Sequence, residues 1–293
     1  MAPDQHTPTD PTTQYPDSTP GQTIPHPGVT SDMGPTPDHG EDSYVGTGRL
    51  QGRRAIITGG DSGIGRAVAI AYAREGADVL IVHLPEEQED ADTTVALVRA
   101  AGRKGISAPG DLRDEEFCRS VVERAVTELG GLDVLVNNAA YQMSIDSIED
   151  LSTEQLLRTF TTNVFATVWL SKAAVPHFAP GSSIINTVSV QADSPSPALL
   201  DYAMTKAALV NFTLNLAQEV GEKGIRVNAV APGPVWTPLI PATMPAEQVE
   251  DFGTQTPLGR AGQPAELAPA YVFLASQESS YSTGTVIRVA GGK

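Results

Sequence analysis

From residue 54 onward, short β-branched runs alternate with longer amphipathic stretches, and few folds accommodate that alternation. It predicts strands over 54–58, 78–84, 105–108, 132–136, 183–189, 225–231 and 285–289. Helices are predicted over 64–75, 88–101, 114–129, 152–178, 201–220 and 264–276, with Ser152 and Gln155 at capping-box spacing. Strand–helix–strand succession implies parallel pairing, because a parallel neighbour needs a crossover long enough to bring the chain back. Right-handed crossovers then give an α/β fold, a doubly wound domain on a seven-stranded parallel sheet, with ligands expected beyond the carboxyl ends of the strands. The 293 residues would suffice for one large domain or two small ones, and no internal repeat or second linker divides the body.

Residues 1–43 are of another kind. Nine of the 23 prolines lie there, and no Lys or Arg precedes Arg49. Such a segment cannot fold alone. Residues 1–25 read as a solvated tail, whereas Ile24, Val29, Met33, Tyr44 and Val45 are apolar anchors that can lie against the body or a neighbouring subunit. The division expected is therefore an extension over 1–43, disordered or packed on a neighbouring subunit, and a folded domain over 44–293. Its seven acidic residues (Asp4, Asp10, Asp17, Asp32, Asp38, Glu41 and Asp42) contribute to a net charge of −16, which disfavours nucleic acid and anionic membranes as partners. Cys118 is the only cysteine, so an intramolecular disulfide is excluded, and neither a cysteine-built metal site nor any other metal is expected. The chain has no charged start followed by an apolar core and no apolar run of membrane-spanning length, and the expectation is a cytoplasmic protein.

Chemistry concentrates at two places. The first strand runs into Thr58-Gly59-Gly60-Asp61-Ser62-Gly63-Ile64-Gly65 and then a helix. Glycines in that position let the chain turn sharply, bring backbone N–H groups up to a pyrophosphate and pack the helix close to the sheet. An ordinary glycine-rich strand–helix turn is the alternative. Farther on, Tyr202 and Lys206 are four residues apart on one helix face, and Ser189 follows an apolar strand. A phenol beside an ammonium is a proton donor and acceptor whose pKa the positive charge pulls down. The same spacing also serves a packed ring and a solvated charge.

Thr58-Gly59-x-x-x-Gly63-Ile64-Gly65, Asn137-Asn138-Ala139, Asn163, Ser189, Tyr202-x-x-x-Lys206 and Pro232-Gly233 occur in the order and spacing of the short-chain dehydrogenase/reductase family, which the chain resembles from about residue 46 to its end. The Gly-Gly-Asp-Ser-Gly-Ile-Gly-Arg turn, Leu84-Pro85-Glu86-Glu87 and Gln263-Pro264-Ala265-Glu266-Leu267 resemble a bacterial branch of general-stress oxidoreductases and NADP-dependent aldehyde reductases with a similar N-terminal extension. The resemblance implies a single Rossmann-type domain and an alcohol dehydrogenase or carbonyl reductase exchanging a hydride with NAD(P). Tyr202 would be the acid/base, Lys206 would lower its pKa and bind the nicotinamide ribose, and Ser189 would hold the substrate oxygen. Asn163 would hold a water in the proton path; an Asn bonded to backbone is its alternative.

The same resemblance assigns cofactor contacts to Gly59, Asp61, Ser62, Gly63, Ile64 and Gly65 in the first turn. It places Asn138 and Ala139 at the adenosine ribose, Asp111 and Leu112 at the adenine, and Pro232, Gly233, Val235 and Thr237 around the carboxamide and phosphates. Ala140 departs from the family, which usually has glycine there. Cofactor choice turns on the end of the second strand, at His83 and Leu84. NAD users commonly have an acid where His83 stands, so its absence leans towards NADP, whereas Glu86, Glu87, Glu89 and Asp90 would not welcome an extra phosphate. His83 is open to stacking beside adenine or to being an ordinary exposed residue. Residues 238–262 would close over a small-molecule substrate as an apolar lid, with Tyr141, Gln142, Gln191 and Trp236 as further pocket candidates. A homotetramer is implied by the resemblance alone. An idle nucleotide-binding or scaffold protein, and a lyase or epimerase keeping the same cofactor, are the alternative functions.

Overall fold

The structure is a computed structural model describing residues 4–293. Among them, seven parallel strands form one sheet: β1 (Arg54–Thr58), β2 (Asp78–His83), β3 (Gly105–Pro109), β4 (Val134–Asn137), β5 (Ser183–Thr187), β6 (Arg226–Pro232) and β7 (Val286–Val289). Their spatial order is β3-β2-β1-β4-β5-β6-β7, so the strand order reverses between β1 and β4. Each direction is set by a returning helix: α1 (Gly63–Arg74), α2 (Gln88–Ala100), α3 (Glu115–Leu129), α4 (Thr153–Phe160), α5 (Ala166–Ala174) and α6 (Leu200–Val220). α7 (Leu239–Thr243), α8 (Ala246–Glu250) and α9 (Pro264–Ala275) complete the order.

Alternation along the strands distributes the core. Ala55 and Ile57 pack with α1, α2 and α9, whereas Ile56 packs on the opposite face with α3, α5 and α6. Because both faces are covered, the strands are continuous apolar runs rather than alternating ones. In register, Ile56 pairs with Leu80 on one side and with Leu135 on the other.

Several element ends differ from expectation for local reasons. The helix predicted over 152–178 is interrupted by a π-helical turn at Thr161–Phe165. Its start has half a capping box: Ser152 Oγ accepts from Gln155 N at 3.0 Å, while Gln155 Nε2 reaches instead to Met143 O at 3.2 Å. β5 stops at Thr187, since Ser189 caps a short turn by accepting from Gln191 N. α7 and α8 lie inside the predicted lid, each five residues long and introduced by a proline, too short for periodicity to reveal.

Residues of the 1–43 extension lie along the chain's own body. Ile24 N donates to Pro241 O at 3.0 Å, and Thr19 Oγ1 to Val249 O at 3.1 Å, tying the segment to α7 and α8. Thr30 N donates to Asp90 Oδ2 on α2 at 2.8 Å. Met33 packs in an apolar cluster with Trp236 and Ile240, and Trp236 Nε1 donates to Pro35 O at 2.8 Å. Nearer the body, the Glu75 carboxylate accepts from Tyr44 Oη at 2.7 Å and from Arg49 N at 2.9 Å. Burial works to raise Glu75, but the Arg49 side chain and these donors hold its pKa down at about 2.

Candidate active site

The site begins where β1 ends. Gly59 and Gly63 have φ of +60° and +48°, which a side chain adopts only with strain. A Cβ on Gly65 would stand 1.8 Å from Gly59 O, so α1 can start this close to β1 only on a glycine. Ser62 precedes α1 without a side-chain cap, leaving its first amides free to face an anion. Asn138 fastens the turn from the neighbouring strand: its Nδ2 donates to Thr58 O at 3.1 Å and to Gly59 O at 3.2 Å. This cradle fits the pyrophosphate of a dinucleotide, since glycine alone lets the turn, the start of α1 and the loop after β4 close up around the free amides.

A cavity of about 480 Å³ opens above it, within the usual range of small-molecule sites. Gly59, Asp61, Ser62, Gly63 and Ile64 form one wall, and Asn138 and Ala139 another. His83, Leu84, Asp111 and Leu112 close one end. Pro232, Gly233, Val235 and Thr237 lead towards Ser189, Tyr202 and Lys206 at the other. Of the residues singled out in the sequence for catalysis or cofactor contact, Gly65 and Asn163 stay off this lining. Gly65 acts through backbone packing. Asn163, buried in the π-helical turn, accepts from Tyr141 N at 2.7 Å and donates to Tyr141 O at 2.9 Å and to Thr205 Oγ1 at 3.0 Å. It braces the loop after β4, and its amide is fully engaged with protein groups.

α6 presents Tyr202 and Lys206 on one face. Lys206 is 1% exposed, its Nζ donates to Thr187 O at 2.8 Å, and it stands 5.3 Å from the centre of the Tyr202 ring. In the chain by itself burial is the leading influence on both groups. Burial pushes Tyr202 up to about 12, opposed only by a hydrogen bond from Ser189, and burial pushes Lys206 down to about 7. Withdrawal from water is the leading cause for both groups: it disfavours the charged phenolate and the charged ammonium alike.

A testable consequence follows for stability. A lysine at about 7 in the folded chain and 10.5 ordinarily binds fewer protons folded than unfolded between those values, so its contribution to stability rises with pH across that window. Lys206→Met is expected to be inactive, and its unfolding free energy relative to wild type should increase as pH falls from about 10 to 7. Denaturant titrations at several pH values check this; parallel pH profiles for the two proteins would contradict it.

The adenosine end holds residues that sequence reasoning weighed differently. His83 is 3% exposed, with Nδ1 beside Leu84 O at 2.8 Å and Nε2 beside Ser107 Oγ at 3.1 Å, so the exposed alternative is overturned: its ring is held within the sheet edge. Glu87 also borders the cavity, its Oε2 accepting from Leu84 N at 2.8 Å. At the substrate end, Tyr141, Gln142 and Gln191 line the cavity under Leu239, Ile240, Met244 and Phe252 of the lid. Trp236 does not: it is fully buried under Met33 and the extension. His26 and Pro27 of the extension, Arg158 of α4 and Lys293 are lining residues that no motif marks. Arg158 lies 4.2 Å over the Tyr141 ring, whose edge meets His26 at 5.3 Å between centroids. The flanking anchors Ile24 and Val29 were the sole sequence signal that His26 would be held anywhere.

Residues 59–293 match the family described as enoyl-(acyl carrier protein) reductase. The chain is 56% identical over 286 residues to the uncharacterized oxidoreductase YghA of Escherichia coli, covering 97% of each. It is 46% identical over 272 residues to the chloroplastic NADPH-dependent aldehyde reductase 1 of Arabidopsis thaliana, covering 91% of this chain and 94% of that one. Among solved structures it resembles a short-chain dehydrogenase from Burkholderia cenocepacia in complex with NADP, with a TM-score of 0.79 and 36% identity over 83% of this chain and 98% of the other.

Proposed function

Because the chain belongs to the short-chain dehydrogenase/reductase family and is an NAD(P)-dependent oxidoreductase of that family, we propose that it interconverts an aldehyde or ketone with the corresponding alcohol, using Tyr202 as the acid/base. The observation that carries this reading is the placement of Tyr202, Ser189 and Lys206 on the wall of the same cavity as the glycine cradle. The relative named an NADPH-dependent aldehyde reductase supports the carbonyl class.

The bound dinucleotide would supply or accept the hydride. Gly59, Ser62 and Gly63 would hold its pyrophosphate, and Pro232, Gly233, Val235 and Thr237 its nicotinamide end. Ser189 donates a hydrogen bond to the substrate oxygen, a contact that strengthens as negative charge develops there. Tyr202, on the same cavity wall, transfers its phenolic proton to that oxygen during reduction. With its pKa near 12 the phenol is fully protonated at neutral pH, the state a general acid requires. Lys206, near 7, exchanges protons readily at neutral pH and re-protonates the phenolate through its immediate surroundings. Ile240, Met244 and Phe252 line the cavity and would help to exclude water from the reacting carbon.

A homotetramer is part of the same reading, supported by exposed Leu157 and Phe165 beside α4 and α5 and exposed Met204 and Leu214 on α6. The function is tested by incubating the protein with NADH or NADPH and a panel of aldehydes, ketones and quinones. Substrate-dependent loss of reduced-nicotinamide absorbance is expected with an aldehyde or ketone; tight dinucleotide binding with no turnover across the panel would favour an idle binding protein.

A further inference from the structure

We propose that Glu87, backed by Asp61, reads the adenosine ribose and disfavours the additional phosphate of NADP, so that this chain selects NAD(H) over NADP(H); the proposal rests on the dinucleotide-dependent function above. An acid reading the ribose ordinarily stands at the end of the second strand. Here that place is taken by His83, whose two ring nitrogens are engaged by Leu84 O and Ser107 Oγ. The chain then makes a short turn at Pro85–Glu87 that folds Glu87 back onto Leu84, its Oε2 accepting from Leu84 N at 2.8 Å. The carboxyl thus returns to the strand end from three residues farther along. It borders the cavity, and among the described residues its other oxygen accepts no hydrogen bond from the protein.

Asp61 provides the independent observation. It comes from the glycine turn, is 1% exposed, borders the same cavity, and its Oδ2 is buried with no partner. A buried acceptor of this kind needs a donor, and ribose hydroxyls are donors whereas a phosphate is not. Arg66 and Arg113 are paired with acids of their own. Arg66 donates to Asp90 Oδ1 at 2.6 Å and to Asp61 O at 2.7 Å, and Arg113 grips both carboxylate oxygens of Asp111. An added phosphate would face Glu87 and Asp61, whereas Arg158 over the Tyr141 ring and Lys293, cations of this lining that carry no ion pair among the described residues, come from other elements.

The charge state reinforces the geometry. Burial pushes Glu87 up to about 8, helped by Asp61, Asp90 and Glu86, and burial also raises Asp61 against hydrogen bonds from its own amide and Ser62. A phosphate is repelled by these carboxyls when they are ionised, whereas a carboxyl already protonated offers it no charge to oppose, so the discrimination against NADP is carried by the ionised form. Repulsion is greater once Glu87 is ionised, so the preference for NAD increases as pH rises through about 8.

Calorimetric titration of the full-length protein with NADH and with NADPH, without substrate, tests this directly at a pH below and a pH above about 8. Wild type is expected to bind NADH more tightly than NADPH, with a wider gap at the higher pH. Glu87→Gln should narrow the ratio by roughly tenfold or more, chiefly by tightening NADPH, and should flatten its pH dependence. Asp61→Asn is expected to narrow the ratio in the same sense, and keeps the comparison available if Glu87→Gln folds poorly. Tighter NADPH binding by wild type, or a ratio unchanged in both variants, overturns the proposal alone. Failure of wild type to bind either dinucleotide overturns the dinucleotide-dependent function and this proposal with it.

Discussion

Tyr202→Phe is expected to lower kcat by roughly 10²–10⁴-fold while leaving dinucleotide affinity within about twofold of wild type. The substitution removes one hydroxyl and retains the ring that α6 packs beside Lys206. In this reading the proton donated to the substrate oxygen comes from the Tyr202 phenol, with Lys206, which donates to Thr187 O at 2.8 Å, restoring it afterwards. The paired variant Ser189→Ala should reduce kcat by a smaller factor, because it removes an electrostatic contact and not the proton itself. Steady-state kinetics combined with dinucleotide titration separates these effects. Undiminished turnover in Tyr202→Phe would remove Tyr202 from the mechanism.

Deleting residues 1–37 should destabilise the protein and disable the lid together. The segment covers Trp236, fully buried in the intact chain, and supplies Pro35 O as the acceptor for its indole N–H. It also ties α7 through Ile24 and α8 through Thr19. Exposing the contacts of Met33 and Ile24 alone removes roughly 3–5 kcal/mol of apolar burial, a large part of a typical domain's stability. His26 and Pro27 leave the cavity wall at the same time. A lower melting temperature, faster proteolysis within 238–252 and a raised KM are expected. Met33→Ala should reproduce the loss of stability, at about 2–4 kcal/mol, without altering the cavity lining. A truncated protein with wild-type melting temperature and kinetics would show the extension to be a passenger.

What the sequence made legible followed from local and repetitive physics. Strands buried on two faces must be continuous apolar runs, so 54–58 was marked as a strand by its own residues, and β1 is Arg54–Thr58. The glycine turn is visible because no other residue type permits its backbone, as the 1.8 Å approach at Gly65 demonstrates. Lys206 was readable as Tyr202's neighbour from helical spacing, but its charge state was not. That depends on how completely both are withdrawn from water, a property of distant segments closing over α6. The same holds for the extension: Ile24 and Met33 are evident anchors, but their partners Pro241 and Trp236 lie some two hundred residues away and carry no local mark. Glu87 was read as an acid unfriendly to phosphate. The turn that folds it onto Leu84 N is the part only the structure supplies.

In the proposed function, hydride passes between a nicotinamide and a carbonyl carbon while Tyr202 handles the proton. The most direct measurement uses reduced dinucleotide bearing deuterium at its transferable position, with an aldehyde or ketone turned over by the wild-type protein. The product alcohol should carry deuterium on the carbon that was the carbonyl, and the label should vanish from the oxidised dinucleotide. Alcohol formed without label, or dinucleotide bound yet never oxidised, would contradict the account.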